Sequence, residues 1–146
     1  LGGYECVVAS PANRCMETVE AVRLGRCWDV SLDGRFWEID VGRWSGLEVS
    51  YVREHEPCDY QRWRDAPHRS APGGGEPLTS LAARVKAAVS ELCAGDAGGR
   101  VLVVTHGGPM RIVRLALEGR PVSEFHRLDV PNLCVVTVDP ANWRKL

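Results

Sequence analysis

Val101-Leu102-Val103-Val104-Thr105-His106-Gly107-Gly108-Pro109 places four consecutive apolar residues, a histidine and a glycine turn in that order. Val101 to Val104 are bulky or β-branched and read as a strand buried on both faces, because a solvated face would show polar residues at alternate positions. Gly107 and Gly108 permit a tight turn, and Pro109 suits the first helical position, where no N–H is needed. A helix from Met110 to Glu118 follows, with Met110, Val113 and Leu117 on its apolar face and Gly119 as its stop. Strand, glycine turn and helix N-terminus together aim backbone N–H groups and a positive dipole end at the point where His106 emerges, and that is a place for an anion.

A second arrangement of the same kind lies near the start of the chain. Cys6-Val7-Val8-Ala9 reads as a strand, Ser10 as a helix N-cap and Pro11 as a residue of the first helical turn. Arg14 falls in that turn, where a cation opposes the helix dipole unless a negative charge joins it. An anionic ligand would supply the charge; the alternatives are that Arg14 faces solvent or pairs with Glu17 or Thr18.

The remaining pattern alternates strands and helices around these two units. A helix is expected over residues 11–24 with Met16, Val19 and Val22 at helical spacing, then an extended piece over 28–32 and an irregular segment over 33–46 broken by Gly34, Gly42 and Gly46. Residues 47–64 read as helical with a break at Pro57, and 66–77 as a loop. Residues 78–93 form the clearest amphipathic helix, with Leu78, Leu81, Val85, Val89 and Leu92 on one stripe. Pro131-Asn132 turns the chain into a last strand, Leu133 to Val138. Such alternation is that of an α/β domain, one domain over residues 1–146.

Composition narrows the partners. With 45% hydrophobic and 25% charged residues and a net charge of −1, the 146-residue chain can bury a real core and carries no basic block for nucleic acid or an anionic membrane. Its cations are arginines apart from Lys86 and Lys145, a bias that suits bidentate contact with oxyanions. Cys6, Cys15, Cys27, Cys58, Cys93 and Cys134 contain no Cys-x-x-Cys pair and read mostly as buried thiols, and with no signal peptide in the sequence a reducing cytoplasm is the expectation. No apolar run approaches the roughly 18 residues of a membrane span, and no His/Cys/acid spacing suggests a metal. The chain starts Leu1-Gly2-Gly3, without methionine.

A third candidate residue is Glu38, set among Phe36, Trp37 and Ile39. Partial burial there favours its protonated form, which could serve as a general acid; the alternative is a surface ion pair with a nearby arginine. Trp44, Tyr60 and Trp63 either line a pocket or cover the core.

Taken together, these segments resemble the histidine phosphatase superfamily, also called phosphoglycerate mutase-like. Its Ser-Pro-x-x-Arg is matched by Ser10 to Arg14, continuing to Glu17-Thr18, and its Glu-Ile-Asp-x-Gly-x-Trp-x-Gly by Glu38 to Gly46. Gly74-Gly75-Glu76 matches the Gly-Gly-Glu before a long helix, and Val101 to Gly108 the strand-His-Gly-Gly; Val130-Pro131-Asn132 and Trp143 also fit. The resemblance implies a three-layer α/β/α fold with a mostly parallel sheet. Arg14 would hold phosphoryl oxygens, Glu38 would donate a proton to the leaving alcohol, His106 would stabilise the transition state, and the Gly107 N–H would add to the same oxygens. Arg14, Glu38 and His106 should therefore converge on one pocket at the carboxyl ends of the strands, without metal or cofactor.

The family's nucleophile, a histidine in Arg-His-Gly on a first central strand, has no counterpart here, since His55, His68 and His126 follow Glu54, Pro67 and Phe125. Smaller departures are Trp37, Ser45 and Pro77, where the family commonly has an arginine, an acid and a serine. The expectation is an N-terminally shortened chain missing a strand between the one ending near His106 and the one over 133–138, and inactive by itself. The implied function is hydrolysis of a small phosphorylated metabolite, after the manner of the family's small phosphatases of the α-ribazole phosphate kind. A phosphoglycerate mutase is the second reading, disfavoured by the short stretch between Glu38 and Gly74, and a phosphate-binding module without a nucleophile is the third.

Overall fold

A computed structural model describes residues 3–95 and 99–144, so Leu1, Gly2 and Lys145 lie outside the described residues. Three strands, β1 (Tyr4–Ala9), β2 (Asp29–Leu32) and β3 (Arg100–Val104), form one parallel sheet in the order β2-β1-β3. The central strand is in register with both neighbours: Val7 lies opposite Val30 and Leu102, and Ala9 opposite Leu32 and Val104. Parallel pairing requires crossovers, and helices α1 (Asn13–Arg23) and α4 (Leu78–Ala94) are among the elements that make them.

Side chains alternate across the sheet and so define three layers. Val7 and Ala9, with Leu102 and Val104, pack with Val19, Met16 and Trp28 on the α1 side. Val8, with Val101 and Val103, joins Leu78, Leu81 and Val85 of α4 and Ile112 and Leu115 of α5 (Gly107–Leu117) on the other. The strand buried on both faces is thus β1; the residues of β3 from Val101 to Val104 are only half-buried, because β3 is an edge strand among the described residues. Pro57 ends α2 (Val49–His55) and opens α3 (Pro57–Asp65) as its first residue.

Several details depart from the sequence reading. Residues 133–138 form no strand, although they alternate between exposed and half-buried positions, with Leu133 86% and Val135 73% exposed and Val138 against the core. Leu133 takes a left-handed φ of +61° and the Cys134 N–H donates to the Pro131 carbonyl at 3.2 Å, so a turn occupies the start of the expected strand, and no described strand pairs with the residues after it. Helix α5 starts at Gly107 rather than Met110, which puts Pro109 third; the first four N–H groups of a helix lack internal partners, so the proline is tolerated there too. Its buried stripe is Pro109, Ile112, Leu115 and Ala116, because this helix is apolar around most of its circumference and the packing against α4 selects the face. Only Cys15 and Cys93 are buried thiols; Cys27 and Cys58 are exposed, and Cys6 and Cys134 are intermediate. Trp44 and Trp63 belong to the core while Tyr60 is half-buried. Among the described residues no helix is long and apolar enough to cross a membrane.

His126 introduces a pH sensitivity into this core. Its ring lies edge-on to Trp63, with centroids 4.9 Å apart, and its Nε2 is buried without a partner while Nδ1 faces an Arg64 N–H at 3.3 Å. Burial first, then the charge of Arg64, pushes the imidazole down to about 4. The unfolded chain therefore takes up a proton that the folded chain refuses, so this contribution to stability is complete above the ordinary histidine value of about 6.5 and is lost as pH falls toward 4. Thermal unfolding should show a falling Tm between pH 7 and 5, and His126→Phe should flatten that fall; an unchanged slope in the variant would contradict this account.

Candidate active site

Because β1 and β3 are parallel and end together, the residues that follow them emerge side by side. The Ser10 N–H donates to the Val104 carbonyl at 2.9 Å, continuing the ladder one step beyond the strands. Ser10 Oγ lies 2.7 Å from His106 Nε2, and the Arg14 Nε–H donates to His106 Nδ1 at 3.1 Å. Accepting from Arg14 leaves Nδ1 without a proton, so in the neutral ring Nε2 carries the hydrogen and donates to Ser10 Oγ. Burial, reinforced by the Arg14 guanidinium, holds the His106 pKa below its usual value, while the Glu38 carboxylate opposes the shift. His106 is thus a neutral, doubly anchored imidazole near neutral pH, with 6% of its surface exposed.

Ser10 does not cap α1 as the sequence reading expected. Ala12 occupies the cap position, and the fully buried Ser10 side chain serves His106 instead, while accepting the Ala12 N–H at 3.4 Å. Cys15, the residue after Arg14, is also part of this cluster, its sulfur 3.6 Å from His106 Nε2; burial raises its pKa, which keeps the thiol protonated. Arg14 is exposed, and among the described residues its side chain forms no ion pair. Thr18 meets only the Arg14 backbone, its hydroxyl donating to the carbonyl at 2.8 Å.

Glu38 reaches the same place from the segment between β2 and α2. Its carboxylate accepts the N–H of Ile39 at 2.8 Å and that of Gly108, the second residue of α5, at 3.1 and 3.2 Å. The free N–H groups expected at this helix terminus are therefore engaged in part by the protein's own carboxylate, which the helix dipole favours. Gly107, beside it, is the half-buried first residue of α5. Arg14, Glu38, His106 and Gly107 are thus brought together at the carboxyl ends of β1 and β3.

What holds the Glu38 segment is an arginine that sequence reasoning passed over. Arg84 on α4 donates to both carboxylate oxygens of Glu76 at 2.7 Å, and to the carbonyls of Arg35 and Trp37 at 2.7 Å and of Glu38 at 3.2 Å. All five guanidinium hydrogens find acceptors, so Arg84 braces the Glu38 backbone rather than pairing with its carboxylate. The Thr105 hydroxyl adds a bond to the Phe36 carbonyl at 2.7 Å, tying the segment to β3. Glu76 is placed in turn by its own N–H, which donates to the Asp40 carbonyl at 2.8 Å. Gly73 and Gly75 make that approach possible: Gly73 has φ +55°, and a Cβ on either would strike the Val41 or Asp40 carbonyl.

A surface cleft of about 580 Å³ lies elsewhere, between Arg53, Pro57, Tyr60, Gln61, Arg64 and Asp65, and none of Arg14, Glu38 and His106 lines it. The cluster itself offers a guanidinium edge, a neutral histidine able to gain a proton and a carboxylate on backbone N–H groups. Such a set can hold an oxyanion and exchange a proton with a group attached to it.

The contact between Gly108 and Glu38 gives a direct test. A Cβ at residue 108 would land on the Glu38 carboxylate, which ends a flexible side chain and can move aside. Gly108→Ala should therefore fold, with a Tm within a few degrees of wild type, while the backbone amide at position 108 loses the hydrogen-bonded shift that it has in wild type, as read in NMR spectra. A variant that keeps this bond would contradict the placement of Glu38.

The profile of the Histidine phosphatase superfamily (branch 1) matches residues 2–145. Phosphoserine phosphatase 1 of Hydrogenobacter thermophilus is 36% identical over 121 residues, covering 83% of this chain and 57% of that protein. Among solved structures, YhfR of Bacillus stearothermophilus superposes with a TM-score of 0.77 at 30% identity, over 84% of this chain and 60% of the other. A mycobacterial glucosyl-3-phosphoglycerate phosphatase in complex with inorganic phosphate gives 0.73 at 29% identity, over 86% and 64%. The chain thus spans a little over half the length of the relatives it matches, and it belongs to the histidine phosphatase superfamily.

Proposed function

We propose that this chain forms the phosphoryl-binding part of a phosphomonoesterase acting on a small phosphorylated metabolite, with Arg14 and His106 as the oxyanion ligands and Glu38 as the proton donor. The observation that carries the proposal is the direct contact of the exposed Arg14 guanidinium with a buried neutral histidine. An oxyanion on the guanidinium edge raises the proton affinity of His106. Protonation at Nδ1 then obliges the Arg14 Nε–H to leave that nitrogen and turn toward the anion. Charge on the phosphoryl oxygens is met by two cations and by the Gly107 N–H, as phosphoryl transfer requires. Glu38, held at the start of α5, relays a proton to the departing alcohol: its carboxylate takes the proton up from solvent and, as the carboxylic acid, passes it to the alcohol oxygen as the P–O bond breaks. Relatives named as phosphatases, one of them solved with inorganic phosphate, support this reading.

Residues 1–146 contain no Arg-His-Gly. His106 cannot take over as nucleophile in the observed geometry, since Arg14 occupies its lone pair and Ser10 its N–H. We assign the phosphohistidine step to a protein in which an Arg-His-Gly segment accompanies these residues, and only oxyanion binding to residues 1–146 alone. Calorimetric titration with inorganic phosphate should show metal-independent binding, unchanged by a chelator and weakened about tenfold or more in Arg14→Ala, as the loss of a charge-assisted pair implies. An aryl phosphate should not be turned over. Binding unaffected by Arg14→Ala, binding abolished by the chelator, or turnover that is lost in His106→Ala would each contradict the proposal.

A further inference from the structure

Trp37 is an aromatic surface that the fold itself does not require. Its neighbour Phe36 fills the core at 1% exposure, whereas Trp37 remains 45% exposed with its indole edge-on to the His106 ring, centroids 6.3 Å apart. The backbone beneath it is fixed at both ends: Thr105 holds the Phe36 carbonyl and Arg84 holds the Trp37 carbonyl, each at 2.7 Å. The residue that follows is Glu38, whose carboxylate sits on the Gly108 N–H. A large apolar side chain on a braced backbone, set against the anchored histidine, is placed in advance of any ligand. Its ordering is therefore not charged against binding.

We infer that Trp37 is a specificity-determining residue that receives an aromatic or heteroaromatic ring carried by the alcohol of the phosphomonoester. An ester whose phosphoryl oxygens lie within hydrogen-bond distance of His106 and Arg14 brings its substituent within van der Waals reach of a ring centred 6.3 Å from the imidazole. Trp37 precedes Glu38 on the stretch of backbone that Thr105 and Arg84 hold, so the indole keeps its place against His106 when an ester occupies the site. Aromatic rings prefer offset or edge-to-face contact with an indole, and the exposed part of Trp37 offers that surface. Aliphatic alcohols, by contrast, gain little from it.

This inference rests on the proposed oxyanion site, and non-hydrolysable probes separate the two. Phenylphosphonate, methylphosphonate and inorganic phosphate would be titrated at pH 8 into residues 1–146, following the indole N–H resonance of Trp37 together with the Gly107 amide. Wild type should bind phenylphosphonate about three- to tenfold more tightly than methylphosphonate, the range expected for one aromatic pair, and the Trp37 indole should shift only with the phenyl compound. Trp37→Leu should abolish the preference while leaving the affinities for methylphosphonate and inorganic phosphate unchanged, and Trp37→Phe should retain most of it. No preference in wild type, or a preference that persists in Trp37→Leu, would overturn the role of Trp37 and leave the oxyanion site standing. Failure of all three anions to bind would overturn both. Should Trp37→Leu fail to fold, the indole shift in wild type and the Trp37→Phe affinities decide: an unmoved indole resonance overturns the inference.

Discussion

The hydrogen bonds from Arg14 to His106 and from His106 to Ser10 join the ends of two neighbouring parallel strands through one imidazole. The bonds restrict the ring in both rotation and protonation: a guanidinium can only donate, so the nitrogen it faces must be bare, and the Ser10 hydroxyl, able to play either part, accepts from the other. The rest of the site is arranged around that orientation. β1 and β3 must end level with each other, which their register ensures. Helix α5 must begin immediately after His106, so that Gly108 can reach Glu38. Burial then keeps the imidazole neutral until a negative charge arrives.

A second layer of constraint comes from Arg84. An arginine with five satisfied hydrogens, drawing on one carboxylate and three carbonyls, converts the irregular segment between β2 and α2 into a fixed support. Without it, the carbonyls of Arg35, Trp37 and Glu38 would need other donors, and the position of Glu38 would depend on its own side-chain bonds and on the Thr105 bond to Phe36. The glycines at 73 and 75 serve the same end by letting two backbones touch. Chemistry at the strand ends is thus supported by polar contacts from α4, a helix whose other residues build the apolar core.

Much of the architecture was legible because it rests on local patterns. The apolar runs at 6–9 and 101–104, the helical stripe from Leu78 to Val89 and the break at Pro57 each follow from periodicity or from the geometry of one residue, and the observed elements agree with them. Arg14, Glu38, His106 and Gly107 could be named because each stands next to a strand end, a glycine or an apolar cluster with an evident local purpose. Ser10 was misread because serine before proline makes a good cap locally, and its true partner lies 96 residues away. Arg84 and Thr105 escaped for the same reason: their acceptors are backbone carbonyls, which leave no mark in a sequence. Residues 133–138 failed in the opposite sense, since the alternation that suggests a strand is present but the neighbour that would complete one is not among the described strands.

The state of His106 tests the central claim most directly. Nitrogen-15 NMR of imidazole-labelled protein at pH 7 should show His106 neutral, with Nε2 protonated and Nδ1 bare, and addition of sulfate should convert it toward the imidazolium as Arg14 turns to the anion. An imidazolium before any anion is added, the opposite tautomer, or a ring indifferent to sulfate would contradict the account.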